Sequence, residues 1–128
     1  MRILLDTHSL LWFLTDDPRL SRQALTILRT AENDVVLSMA SLWEIAIKSS
    51  LKKLVLAKPF AELFPQELMD NDIGLLPILL KHVSILADLP FHHRDPFDRL
   101  IISQAMAEEL PVLSSDSAFL QYPVRVIW

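Results

Sequence analysis

The chain has 128 residues, 52% of them apolar, with eight prolines and a single glycine, which suits one folded domain over residues 1–128 and excludes a flexible or low-complexity chain. There is no cysteine, which rules out a disulfide framework and a thiolate metal site. The net charge of −4 argues against a general nucleic-acid binder, so any such substrate must be held by local cations, a bound metal or a second subunit.

Only three apolar residues, Ile3-Leu4-Leu5, separate Met1-Arg2 from Asp6, too few for a signal-peptide core. They read as a buried strand that leads into a helix over Thr7 to Leu14, broken at Asp16-Asp17-Pro18. No apolar run is long enough to span a membrane, so a cytoplasmic chain without membrane contact is expected. Ser21 can cap a second helix with Ala24, Leu25, Leu28 and Ala31 on one face. After the turn at Asn33-Asp34, Val35 to Ser38 reads as a second buried strand, followed by a helix from about Ser41 to Leu51. Phe60, Leu63, Phe64 and Leu68 predict one amphipathic helix ended by Asp70-Asn71-Asp72. Ile73 to Ile78 is a third strand, punctuated by Gly74 and Pro77. Val83, Leu86 and Ala87 suit a short helix, and Pro90 to Asp95 a loop carrying His92 and His93. Asp95-Pro96 then starts a helix running to about Glu109, with Asp95 as cap and Pro96 at the first position. Pro111 to Ser114 is a fourth strand, Ser117 opens a turn or short helix, and Val124 to Ile127 is a fifth strand. Apolar strands alternating with helices predict an α/β domain, a three-layer α/β/α arrangement around a parallel sheet of about five strands.

On that scheme four acids arrive at one edge. Asp6 ends the first strand, Glu44 and Asp98 lie in the first turns of their helices, and Asp116 follows the fourth strand. In a parallel sheet the carboxyl ends of the strands share one edge, where open α/β sheets bind ligands. Capping explains each position singly: Asp6 before its helix, Ser41-Leu42-Trp43-Glu44 as a capping box, Asp95 and Asp98 as an acidic counterpart, Asp116 before Ser117. It does not explain why each segment brings an acid, since Ser, Thr and Asn cap equally well. Clustered carboxylates repel one another unless a cation intervenes, and an all-oxygen ligand set suits Mg²⁺ or Mn²⁺. Arg94, Arg99 and Lys48 lie near the edge as phosphate contacts or as solvent-facing charges. Adjacent histidines point apart, so His92 and His93 read as a solvated loop, and His8 and His82 add no signal. Trp12 and Trp43 read as core or interface.

Four stretches together resemble one family: Leu5-Asp6-Thr7 after its apolar run, Ser38-Met-Ala-Ser-Leu-Trp-Glu44, Asp95-Pro-Phe-Asp-Arg-Leu-Ile-Ile running on to Ala105, and Val112-Leu-Ser-Ser-Asp116. In order and spacing the whole chain is similar to PIN-domain ribonucleases, in particular VapC-type toxins of bacterial toxin–antitoxin pairs. That resemblance implies a metal-dependent endoribonuclease that leaves a 5′-phosphate and a 3′-hydroxyl. It puts the family's acids on Asp6, Glu44, Asp98 and Asp116, as ligands of one or two Mg²⁺ or Mn²⁺ ions, with Asp116 a ligand or the orienter of the attacking water. Thr7, Ser38, Ser41, Asp95, Arg99 and Ser114 are candidates for outer positions or substrate contacts; Asp95 is not one of the family's acids. An RNA substrate, a cognate antitoxin and a homodimer are the implied partners. Two other classes compete. A phosphatase or phosphotransferase would use Asp6 as nucleophile, but the haloacid-dehalogenase pattern wants Asp where His8 stands. A non-catalytic PIN-like binding module would not need all four acids.

Overall fold

The computed structural model describes all 128 residues, Met1–Trp128. Five strands form one parallel sheet: β1 (Arg2–Leu5), β2 (Asp34–Ser38), β3 (Ile73–Leu76), β4 (Val112–Leu113) and β5 (Val126–Ile127), in the order β3-β2-β1-β4-β5. Consecutive apolar residues make these strands because both faces of the sheet are covered. Ile3 and Leu5 pair with Val35 and Leu37 and face one core. Leu4, between Val36 and Val112, faces the other.

The first core is closed by α1 (Thr7–Leu14), α2 (Arg22–Arg29) and α3 (Met39–Ser50), through Leu10, Ala24, Leu42 and Ile45, together with Phe64 and Leu68. The second is closed mainly by α7 (Pro96–Glu108), whose Leu100, Ile101, Ile102 and Ala105 pack with Phe119 and Tyr122. Burying each such Leu or Ile contributes roughly 1.5–3 kcal/mol. Strand order grows outward from β1 to β3 on one side and then restarts at β4 on the other. The point of reversal lies between β1 and β4, which places the ends of those two strands at the crevice of the sheet.

Several element boundaries differ from the sequence expectation. The third helix starts at Met39, straight from β2, and its cap is Ser38, whose hydroxyl accepts from the Ala40 N–H at 2.9 Å. The capping box at Ser41 is therefore absent, and Glu44 sits in the second turn. The expected helix from Phe60 to Leu68 is two short ones, α4 (Phe60–Leu63) and α5 (Gln66–Asp70). Pro65 lacks an N–H and pushes Phe64 into extended backbone (φ −121°, ψ 135°). Strand β3 passes through Gly74 and stops at Leu76, where Pro77 cannot continue the ladder. A side chain at Gly74 would sit 3.4 Å from a Val36 methyl. Helix α6 covers Leu80–Ala87, β4 and β5 are shorter than expected, and α2 stops before Ala31. Helix α7 starts as its sequence predicts: Asp95 accepts from the N–H groups of Phe97 and Asp98 at 2.9 and 3.0 Å. It ends where Glu109 turns left-handed (φ 54°). No helix is long and apolar enough to cross a membrane.

Candidate active site

Asp6 follows directly from β1, and its backbone N–H donates to the Leu113 carbonyl of β4 at 3.1 Å. That bond holds it at the crevice. It occupies the cap position of α1 but makes no capping hydrogen bond, so capping does not account for the acid here. Its carboxylate is buried instead and accepts from the Ser114 hydroxyl at 2.9 Å; Ser114 in turn accepts from the Asp116 N–H at 3.0 Å. Burial lifts its pKa from 3.8 to about 6, against the lowering effect of Ser114 and of His8.

Glu44 is only 2% exposed. One oxygen, Oε2, is paired with the Lys48 ammonium, and the other, Oε1, is buried with no hydrogen-bond partner. The pairing raises the Lys48 pKa; Asp95 and Asp98 push the same way from further off. Lys48 is thus a counter-charge inside the acid cluster and not a free phosphate contact.

Asp98 sits in the first turn of α7. Its pKa is pushed from 3.8 to about 8, by burial first and then by the charges of Asp95, Asp6, Glu44 and Asp116. The cap of its own helix and acids from three other segments therefore act on one carboxyl group. Asp116 is exposed and caps the 3₁₀ turn Ser117–Gln121 by accepting from the Ala118 N–H at 2.9 Å, so the capping explanation holds at that position.

No three His, Asp or Glu side chains have the spacing to hold one ion as they stand. The donor chemistry nevertheless fits a hard divalent cation, which binds through one or two carboxylates and several waters. The orphaned Glu44 Oε1 and the mutual repulsion at Asp98 are both relieved by positive charge. Asp6, Glu44 and Asp98, with Asp116 at the rim, are the candidates for holding it.

Other sequence candidates fall elsewhere. Thr7 donates to Ser41 at 2.7 Å, and Ser38 donates to the Gln104 side chain. These buried bonds tie α1 to α3 and the end of β2 to α7, and none of the three hydroxyls hydrogen-bonds an acid. Arg99 is neither solvent-facing nor turned to a substrate. It is 4% exposed, and donates to the carbonyls of Pro90 (2.8 Å) and Leu89 (2.9 Å) beneath the Phe91 ring. Its planar fork braces the loop before α7. Trp43 is half exposed, edge-on to Phe97, and Trp12 meets Trp128. His82 is fully buried, with Nε2 2.8 Å from Glu108.

The residue that sequence reading missed is His93. Its ring is largely buried, with Nδ1 3.0 Å from the Tyr122 hydroxyl and Nε2 3.7 Å from Asp98 Oδ2. Nothing local marks it, because its anchor Tyr122 lies far along the chain. The expected solvated loop holds for the exposed His92 but not for His93.

A cleft of about 540 Å³ opens beside the acids, between α1, α3 and residues 53–58, and reaches them at Thr7 and Glu44. Within its lining Arg19 pairs with Asp17 and Lys48 with Glu44, while Lys53 and Lys58 form no ion pair.

The PIN domain family model matches residues 3–124. No curated protein sequence matches the chain. Among solved structures the chain is similar to one in VapBC2 from Rickettsia felis bound to a promoter DNA fragment, at 16% identity and TM-score 0.75, covering 99% of this chain and 98% of that one. It is also similar to one in VapBC-1 from nontypeable Haemophilus influenzae, at 14% identity and TM-score 0.69, covering 99% and 97%. A third likeness is to FitAcB from Neisseria gonorrhoeae, at 20% identity and TM-score 0.67, covering 100% and 97%.

Proposed function

The chain belongs to the PIN-domain family, and from that premise we propose that it is a metal-dependent endoribonuclease, the toxin of a cytoplasmic toxin–antitoxin pair. The observation that carries the proposal is Asp98, a largely buried carboxyl group pressed by the charges of Asp95, Asp6, Glu44 and Asp116. A fold that gathers so much negative charge at a sheet crevice is suited to a cation and to the phosphate the cation would serve.

Asp6, Glu44 and Asp98 would hold one or two Mg²⁺ or Mn²⁺ ions, with Asp116 a further ligand or the orienter of the attacking water. When bound, such an ion makes water a nucleophile near neutral pH and neutralises charge on the phosphodiester. The chain's own residues do the rest. Ser114 fixes the rotamer of Asp6 by donating to Oδ2. Lys48 holds Glu44 by one oxygen and leaves the other available. Asp95 starts the helix that delivers Asp98. Lys53 and Lys58 offer the cleft's unpaired cations to an RNA backbone, which answers the net negative charge of the chain. The likeness to chains in VapBC and FitAcB structures supports an antitoxin partner; a homodimer is the assembly we expect.

Incubation with RNA and Mn²⁺, with and without EDTA, tests the assignment. Cleavage should require the metal and vanish in Asp6→Asn and Asp98→Asn. Cleavage that survives both substitutions would mark a contaminant and sink the nuclease. Co-purification with the product of the neighbouring gene tests the antitoxin.

A further inference from the structure

The Tyr122 hydroxyl sits in an unusually crowded place. The backbone N–H groups of His92 and His93 face its oxygen at 3.2 and 3.3 Å, and Arg99 Nη1 faces it at 3.3 Å. All three can only donate, and a phenolic oxygen has two lone pairs to accept with. No acceptor capacity is left for a fourth donor. His93 Nδ1, 3.0 Å from the same oxygen, is therefore bare and lies within reach of the Tyr122 O–H. The Pro90 carbonyl, 3.0 Å from the same O–H, takes Arg99 at 2.8 Å on one lone pair and has a second, so the O–H is shared between that carbonyl and Nδ1. A neutral imidazole with Nδ1 bare carries its proton on Nε2. That nitrogen is buried without a hydrogen-bond partner, and the acid it faces is Asp98, with Oδ2 at 3.7 Å. At that distance the N–H faces the carboxylate without a hydrogen bond.

We propose that His93 is a positioning residue for Asp98: Tyr122 pins its ring so that Nε2–H meets Oδ2 and sets the carboxylate's orientation for a cation. The inference rests on the nuclease reading of the acid cluster. It follows a general pattern, in which ligating carboxylates are themselves held by hydrogen bonds from behind. Arg99, buried and bound to Tyr122 and to the loop carbonyls, completes the support.

Three measurements test it. In metal-free protein, long-range proton–nitrogen NMR of the imidazole should find the Nε2–H tautomer of His93; the Nδ1–H tautomer would overturn the proposal without any variant. Calorimetry should then give a Mn²⁺ affinity for His93→Asn about 10- to 100-fold weaker than wild type. Asparagine keeps a polar group near Tyr122 but cannot reach Asp98. His93→Gln, whose amide nitrogen overlies Nε2, should recover most of the loss. If wild type binds Mn²⁺ and cleaves RNA while His93→Asn binds equally well, His93 is a loop anchor and the proposal fails alone. Wild-type protein that neither binds Mn²⁺ nor cleaves would overturn the nuclease reading and this inference with it.

Discussion

Lys48 lies one turn beyond Glu44 on α3, with its ammonium 2.5 Å from Oε2, while Oε1 of the same carboxylate is buried and unpartnered. One side of Glu44 is thus neutralised from within the chain and the other is left to a cation. Lys48→Met should destabilise the metal-free protein by about 2 kcal/mol, since it strands a buried charge; part exposure of the lysine keeps the loss below that of a fully buried pair. Saturating Mn²⁺ should restore much of it. Thermal unfolding with EDTA and with Mn²⁺ measures both, and an unchanged melting temperature in EDTA would show that the pair is idle.

Asp98 makes the metal-free protein sensitive to pH in a defined direction. Folded, it holds its proton up to about 8; its ordinary value is 3.8. Between those values the folded chain binds more protons than the unfolded one, so stability falls as pH rises. The loss is absent below about pH 4 and complete above pH 8. Asp6 adds a loss of the same sign, complete above its value of about 6. Asp98→Asn should abolish most of this slope. Denaturant midpoints in EDTA should lie close to wild type at pH 4.5 and clearly favour the variant at pH 8. A variant less stable than wild type at both pH values would contradict the crowded-acid picture.

Ser114 bridges two acids, donating to Asp6 and accepting from the Asp116 backbone. Ser114→Ala should cost about 1 kcal/mol of stability and roughly tenfold in Mn²⁺ affinity or cleavage, while Ser114→Thr keeps the hydroxyl. Equal affinity in the alanine variant would leave Ser114 a purely structural bond.

Arg99 separates bracing from catalysis. Arg99→Lys keeps the charge but loses the fork that reaches Leu89 and Pro90 together. Its melting temperature should drop, by an amount worth about 2 kcal/mol, with the Michaelis constant for RNA little changed. A raised Michaelis constant at wild-type stability would return Arg99 to the substrate.

Lys53 and Lys58 should act in the opposite way. Lys53→Glu with Lys58→Glu should weaken RNA binding several-fold and flatten its salt dependence, as expected when phosphate contacts are removed. Mn²⁺ affinity should not change. Binding measured across a salt series decides; an unaltered slope would move the RNA path off this cleft.

Much of the fold was legible in the residues themselves. The strands announced themselves as short runs such as Val35-Val36-Leu37, because a parallel sheet covered on both sides needs apolar residues at successive positions. The start of α7 was equally plain, since Asp95 and Pro96 act through bonds only two or three residues long. Boundaries were less so. The start of α3 moved from Ser41 to Met39 because β2 runs straight into the helix, and the segment from Phe60 divided at Pro65.

The acids divide the same way. By itself the sequence determined which segments end at one edge of the sheet, because strand direction and helix order carry them there. What each does there was decided by contacts between distant residues. Asp6 is freed from capping and held by Ser114, 108 positions away; Asp116 caps after all. Arg99 is buried against the Leu89 and Pro90 carbonyls, and His93, held beside Tyr122, faces Asp98. Periodicity and local capping report on neighbours a turn apart; burial and the hydrogen bonds it enforces depend on which segments the fold packs together.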